Sequence, residues 1–198
     1  MTATHVVVVG AGVGGLAAAV DLARSGCRVT VIESQATPGG KMRAIDIDGR
    51  PIDSGPTVFT MRWVFDELFG CAGVELSERL PLIRAHTLAR HSWLDGSRLD
   101  LFADVDQSAE AISEFAGKRE AEAYRRFAAD SAEIFATLDQ SFMRRERPGP
   151  VSLTASLGLR GLPRLLRTKP FRDLWTELGQ RFSDPRLRQL FGRYSTYC

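Results

Sequence analysis

The stretch HVVVVGAGVGG, His5 to Gly15, constrains this chain more than any other. The run His5 to Val9 reads as a strand buried on both faces of a parallel sheet. Gly10-Ala11-Gly12-Val13-Gly14-Gly15 then fits the spacing G-x-G-x-x-G. Helical sequence comes next, with Leu16, Val20 and Ala23 on one side and Gly26 placed to end it. CRVTVIE, Cys27 to Glu33, supplies a second strand. That order specifies an α/β fold opening on a Rossmann-like βαβ unit. Gly10 permits the tight turn, Gly12 lets the backbone approach a pyrophosphate, and Gly15 lets helix and strand pack closely. The helix start adds unpaired N–H groups and the positive end of a dipole. Glu33 lies 18 residues after Gly15, where a carboxylate accepts hydrogen bonds from a ribose. With Ser34 beside it, this acid disfavours a 2′-phosphate and so NADP. The motif predicts a bound dinucleotide and leaves NAD and FAD both open.

A second glycine pair comes only six residues later. In SQATPGGKMRA, Pro38 fixes the backbone, Gly39 and Gly40 allow main-chain N–H groups to come close to a bound anion, and Lys41 adds a mobile cation. Taken alone the pair is an ordinary turn before a strand. The next element, however, is a hairpin rather than a crossover helix, and that favours FAD over NAD.

The hairpin is MRAIDIDGRPIDSGPT, turning at Asp48-Gly49. TMRWVFDELFG predicts a short helix with Met61, Phe65 and Leu68 on one face and Gly70 at its end. A second hairpin turns at Asp95-Gly96. A helix capped by Asp106 or Ser108 runs to Ala116 and closes at Gly117. Residues 118–142 form a long helix whose seam is Tyr124, Phe127, Ala128, Ser131, Phe135 and Leu138. RPGP at 147–150 then opens a basic region.

Charge is uneven: residues 1–140 carry 14 Lys and Arg against 20 Asp and Glu, and residues 141–198 carry 12 against 4. Such a basic segment suits an anionic surface, or is simply a solvated face. In the 151–172 region Arg160, Arg164 and Arg167 share one helical face opposite Leu162, Leu165 and Leu166, although Pro163 interrupts it. Cys27, Cys71 and Cys198 have neither zinc-ligand spacing nor an even count, so no metal site is expected and a reducing compartment is. No run reaches the roughly 18 apolar residues of a membrane span. His86 and His91 read as structural or exposed, and no residue is assigned to catalysis.

The stretch VVVVGAGVGGLAAAVDLARSGCRVTVIESQATPGGK resembles the extended FAD fingerprint of flavoproteins of the glutathione-reductase and amine-oxidase type. GGKMRAIDIDGRPIDSGPTVFT and RLRQLFGRYSTY are similar to the bacterial phytoene-desaturase type of carotenoid dehydrogenase, in particular its hydroxyneurosporene and methoxyneurosporene branch. The resemblance implies that Gly39, Gly40 and Lys41 lie beside the FAD phosphates and ribityl chain, and that Asp53, Gly55, Pro56 and Thr57 pass near the flavin. It further implies an FAD-dependent oxidoreductase that removes two hydrogens from a 1-hydroxy- or 1-methoxy-carotenoid. The expected location is cytoplasmic and peripheral, on the inner or photosynthetic membrane, with no nucleic-acid partner. Members of the family are much longer, so an N-terminal fragment is expected. Residues 1–80 would be an incomplete domain for the ADP part of FAD, 81–105 a hairpin of the substrate domain, and 106–198 a mainly helical region. The alternatives are another amine-oxidase-like flavoprotein oxidase and a non-catalytic nucleotide-binding fragment.

Overall fold

The computed structural model describes residues 3–56, 59–139, 143–144 and 172–197. The basic amphipathic stretch expected to meet a membrane, residues 151–171, lies outside them, as does Thr57. The chain divides into two units, Met1–Ile83 and Arg84–Cys198.

The first unit opens with β1 (His5–Val9), α1 (Val13–Arg24) and β2 (Arg28–Ile32). The strands pair in parallel, His5 opposite Arg28 through Val9 opposite Ile32. This is the Rossmann-like βαβ unit. Gly26, at φ +85°, stops α1: its N–H donates to the Ala23 carbonyl and the Cys27 N–H to that of Leu22. That pair of bonds defines a Schellman stop and satisfies two terminal carbonyls.

Two expectations are corrected here. The inner side of α1 is set by Gly15, with Ala19 and Leu22 in helical phase; of the expected side, Val20 is half-buried while Leu16 and Ala23 are exposed. The close approach at Gly15 decides this, because it fixes which side of the helix meets the strand. β1 is also not buried on both faces. Val8 faces α1 at Gly15, but Val7 and Val9 on the opposite face are 50% and 83% exposed. Among the described residues the sheet has only these two strands, and one helix covers only one side.

β3 (Ala44–Ile47) and β4 (Arg50–Asp53) form the first hairpin. Asp48 and Gly49 both have positive φ, 54° and 77°, as a two-residue type I′ turn requires. α2 (Arg62–Cys71) continues past Gly70. It stops at Gly73, φ +74°, where the N–H groups of Gly73 and Val74 bond the carbonyls of Gly70 and Phe69. A four-residue α3 (Leu76–Arg79) buries Leu76.

The second unit contains the hairpin β5 (Thr87–Ser92) and β6 (Arg98–Phe102), then α4 (Val105–Ala116) and α5 (Lys118–Leu138). α6 (Leu174–Arg181), α7 (Pro185–Gly192) and a 3-10 turn (Arg193–Tyr197) complete it. The core joins Leu99 and Leu101 of the hairpin to Ala109, Ile112, Leu178, Phe182, Leu187 and Phe191. Aromatic rings organise it: Phe191 lies 5.2 Å from both Phe182 and Phe127 and 5.7 Å from Tyr124.

The cap of α4 is Asp104, whose Oδ1 accepts from the Gln107 N–H at 2.8 Å, rather than Asp106 or Ser108. Ser108 is buried instead, and its Oγ accepts from the Phe102 N–H at 2.9 Å. Gly117 closes α4 as expected. On α5 the expected seam is packed unevenly, with Ala128 and Leu138 half-buried. Tyr124 and Phe127 meet the core, whereas Ser131 and Phe135 are exposed.

Candidate functional site

The site is built from main chain. Gly10 turns the chain off β1 at φ +100°, and its N–H donates to the Ile32 carbonyl at 2.7 Å, tying the loop to the end of β2. A Cβ built on Gly15 would overlap the Gly10 carbonyl oxygen, so glycine is the residue that lets α1 start this close to the strand. Gly12 caps α1 with no side chain to bond the first N–H groups. The first intrahelical bond runs from the Leu16 N–H to the Gly12 carbonyl, at 2.9 Å. The N–H groups of Val13, Gly14 and Gly15 thus precede the helical ladder and carry the positive end of the α1 dipole.

Ala11, at the centre of the loop, is 4% exposed, and both of its peptide groups are engaged. Its N–H donates to Glu33 Oε2 at 2.7 Å. Its carbonyl accepts from the Gly39 N–H at 2.8 Å. Glu33 Oε1 meanwhile accepts from the Gln35 N–H at 2.9 Å and the Ser34 Oγ at 3.2 Å. These bonds, the Ala11 N–H foremost, hold the Glu33 carboxyl below its ordinary pKa, so it is ionised at neutral pH.

The second glycine pair lies directly against the first loop. Gly39 forms a parallel bridge with Gly12, and a Cβ on Gly40 would stand 3.0 Å from the Gly12 Cα. Gly39 and Gly40 both have positive φ, 128° and 60°. The amide of Gly39 faces the Ala11 carbonyl, so of the N–H groups expected to approach an anion this one is turned to the protein. Lys41 is exposed and joins no ion pair among the described residues. The segment after β4 returns to the same place. The Ser54 N–H bonds the Arg43 carbonyl at 2.9 Å, and a Cβ on Gly55 would overlap the Lys41 carbonyl oxygen.

Gly10, Ala11, Gly12, Gly15, Glu33, Ser34, Gly39, Gly40, Lys41 and Gly55 are therefore drawn together by direct contacts. Val13 and Gly14 begin α1 beside them, and Pro56 comes after Gly55 at an exposed position. Sequence reasoning missed the Ala11 peptide as the point where the two loops meet. Its only signal there was a small residue between two glycines.

The surface above the helix start can accept a phosphate. A Cβ on Gly14 would meet nothing within 4 Å, and one on Gly12 only the Gly40 Cα, at 3.9 Å. Unobstructed backbone at a helix N-terminus, with a carboxylate at the end of the next strand, fits a dinucleotide. Among the described residues no cluster of three or more His, Cys, Asp or Glu could hold a metal, and no helix is long and apolar enough to cross a membrane.

Residues 8–69 match the family described as NAD(P)-binding Rossmann-like domain. Across 98% of its length the chain is 50% identical to the hydroxyneurosporene desaturase of Rubrivivax gelatinosus. It is 48% identical to that of Cereibacter sphaeroides over 97%, and 37% identical to the phytoene dehydrogenase of Streptomyces griseus over 98%. Over nearly its whole length the chain is thus similar to carotenoid desaturases. It spans 38%, 39% and 38% of the lengths of those three desaturase relatives. The solved structure of a putrescine oxidase mutant covers 94% of this chain and 36% of its own, at 20% identity and a TM-score of 0.49. The desaturase resemblance extends well past the glycine loops, through the hairpin and helices of the second unit.

Proposed function

We propose that this chain belongs to an FAD-dependent carotenoid desaturase and forms the part that holds the adenosine and phosphate portion of the flavin nucleotide. The observation that carries the reading is 50% identity to a hydroxyneurosporene desaturase over 98% of the chain. The packing of a second glycine pair onto the first loop supports FAD as the dinucleotide. Bound FAD would supply the two-electron acceptor for a dehydrogenation. The chain's own residues bind and orient. The open N–H groups at the start of α1 receive a phosphate, Glu33 faces the ribose position, and Lys41 adds a cation at the edge.

The substrate in this reading is a long apolar polyene, a 1-hydroxy- or 1-methoxy-carotenoid that loses two hydrogens from adjacent carbons. Such a substrate resides in a bilayer, and the basic 151–172 region is the proposed contact with a membrane surface, from the cytoplasmic side. Because the relatives are so much longer, the 198-residue chain alone is expected to bind FAD weakly and not to turn over.

The test is to express the full reading frame that encodes this chain in a host accumulating 1-hydroxycarotenoids and to analyse the pigments. The expected product has two hydrogens fewer and a red-shifted absorption. Unchanged pigment with every carotenoid offered would defeat the substrate assignment. Failure of the purified product to bind FAD would defeat the cofactor assignment.

A further inference from the structure

The spacing of Glu33 suits a ribose ligand, yet in the structure its carboxylate is already committed to the protein. Oε2 accepts from the Ala11 N–H at 2.7 Å, within the range of a charge-assisted bond, and Oε1 accepts from Gln35 and Ser34. The Ala11 carbonyl, on the other side of the same residue, accepts from Gly39. The buried residue at the centre of the first loop is thus held by the end of β2 on one side and by the second glycine pair on the other. Glu33 and Gly39 are six residues apart, and both come from the segment just after β2.

We propose that Glu33 is a positioning residue: through the Ala11 N–H it fixes the glycine loop in the form that leaves the α1 start open, independently of any bond to a ribose. This rests on the dinucleotide reading only for its consequence in binding. The hydrogen-bond geometry stands without it. A loop with four glycines in six residues has unusual conformational freedom to lose. A bond made before the ligand arrives reduces what binding must order.

The experiment uses the full 198-residue chain with Glu33→Ala and Glu33→Gln. Amide hydrogen exchange without nucleotide reads Ala11 and Gly39, with the amides of Leu16 to Ala23 in α1 as the folding control. The expected result is faster exchange at Ala11 and Gly39 in E33A, by about tenfold or more, the scale of losing one hydrogen bond to a charged acceptor. E33Q keeps an acceptor oxygen and is expected to fall between E33A and the parent chain. Equal exchange at Ala11 in all three proteins overturns the proposal. If E33A also loses the α1 protection, E33Q decides: normal α1 protection with faster exchange at Ala11 supports the assignment, and unchanged exchange overturns it.

A second arm measures the binding of ADP and of 2′,3′-dideoxy-ADP, which lacks the ribose hydroxyls. A positioning role predicts that E33A weakens 2′,3′-dideoxy-ADP as well as ADP. A loss confined to ADP means Glu33 acts through the ribose and overturns the proposal. A parent chain that binds neither nucleotide counts against the dinucleotide reading, while the exchange arm still decides the role of Glu33.

Discussion

Two adjacent glycines should respond to alanine with opposite signs. At Gly15 a Cβ would overlap the Gly10 carbonyl oxygen and stand 3.1 Å from the Gly10 carbonyl carbon and 3.5 Å from Val8 Cγ1. The obstacle is mostly main chain, which cannot rotate away, so either α1 or the turn at Gly10 must move. Forcing an extra methyl into a packed contact costs typically about 1–3 kcal/mol, and a rigid backbone neighbour places Gly15→Ala near the top of that range. At Gly14 a Cβ would meet nothing within 4 Å, and the residue sits inside α1 without a positive φ. There alanine removes freedom from the unfolded chain at no steric cost, which stabilises by about 0.4–1 kcal/mol.

The two variants should therefore differ by about 3.5 kcal/mol, roughly three-hundredfold in the opening equilibrium. The assay is hydrogen exchange of peptides spanning β1 and α1, which reports this unit without interference from the other. Faster exchange in Gly15→Ala and slower in Gly14→Ala is expected. Equal protection in the two variants would refute the inference that close packing, rather than mere flexibility, requires glycine at position 15.

The second unit offers its own tests. Glu120 is buried and receives the Ser183 N–H between its two oxygens, at 3.1 and 3.2 Å. Glu120→Ala leaves that N–H without its acceptor and should cost about 2 kcal/mol in urea unfolding, with Glu120→Gln retaining most of the stability. Asp104→Ala removes the cap of α4 and should cost about 1 kcal/mol by the same measurement. Burial first, and then the positive charge of Arg193, lower the pKa of His91 below its ordinary value. The unfolded chain thus binds the proton more readily, so stability is full above the ordinary histidine range near pH 6.5. It falls as pH drops through that value toward the depressed folded pKa. Unfolding followed by Trp93 and Trp175 fluorescence from about pH 8 to about pH 5 should show this slope, and His91→Gln should flatten it.

Features whose cause is local could be read directly from the residues. Gly10, Gly26 and Asp48-Gly49 each need a backbone conformation that few residues adopt, and each stands where a strand or helix must turn. Choices among neighbours could not be read this way. Gly70 and Gly73 are both glycines near the end of α2, but only at Gly73 does the next N–H, that of Val74, reach the Phe69 carbonyl. Asp104, Asp106 and Ser108 could all cap a helix. Ser108 is drawn to β6 by Phe102, which leaves Asp104 at the helix start. Periodicity marks Phe135 and Tyr124 as one seam on α5, yet a seam says nothing of where its partners end. Among the described residues, the aromatic cluster of Phe182 and Phe191 meets α5 at Tyr124 and Phe127.

The second glycine pair shows the same limit more sharply. Its residue types suit an anion-binding turn, and from sequence that is reason enough for them. The structure supplies a prior requirement: Gly40 and Gly12 approach so closely that a methyl on Gly40 would press on the Gly12 Cα, and Gly55 excludes a side chain where it meets Lys41. Three segments distant in sequence, near residues 12, 40 and 55, thus stack main chain on main chain. Each glycine is conditional on another, so no single position explains its own composition. A ligand held at the α1 start would rest on that stack and not on the first loop alone. The position of the hairpin β3–β4 is for that reason coupled, through Gly55, Lys41 and Gly40, to the shape of the loop that begins α1.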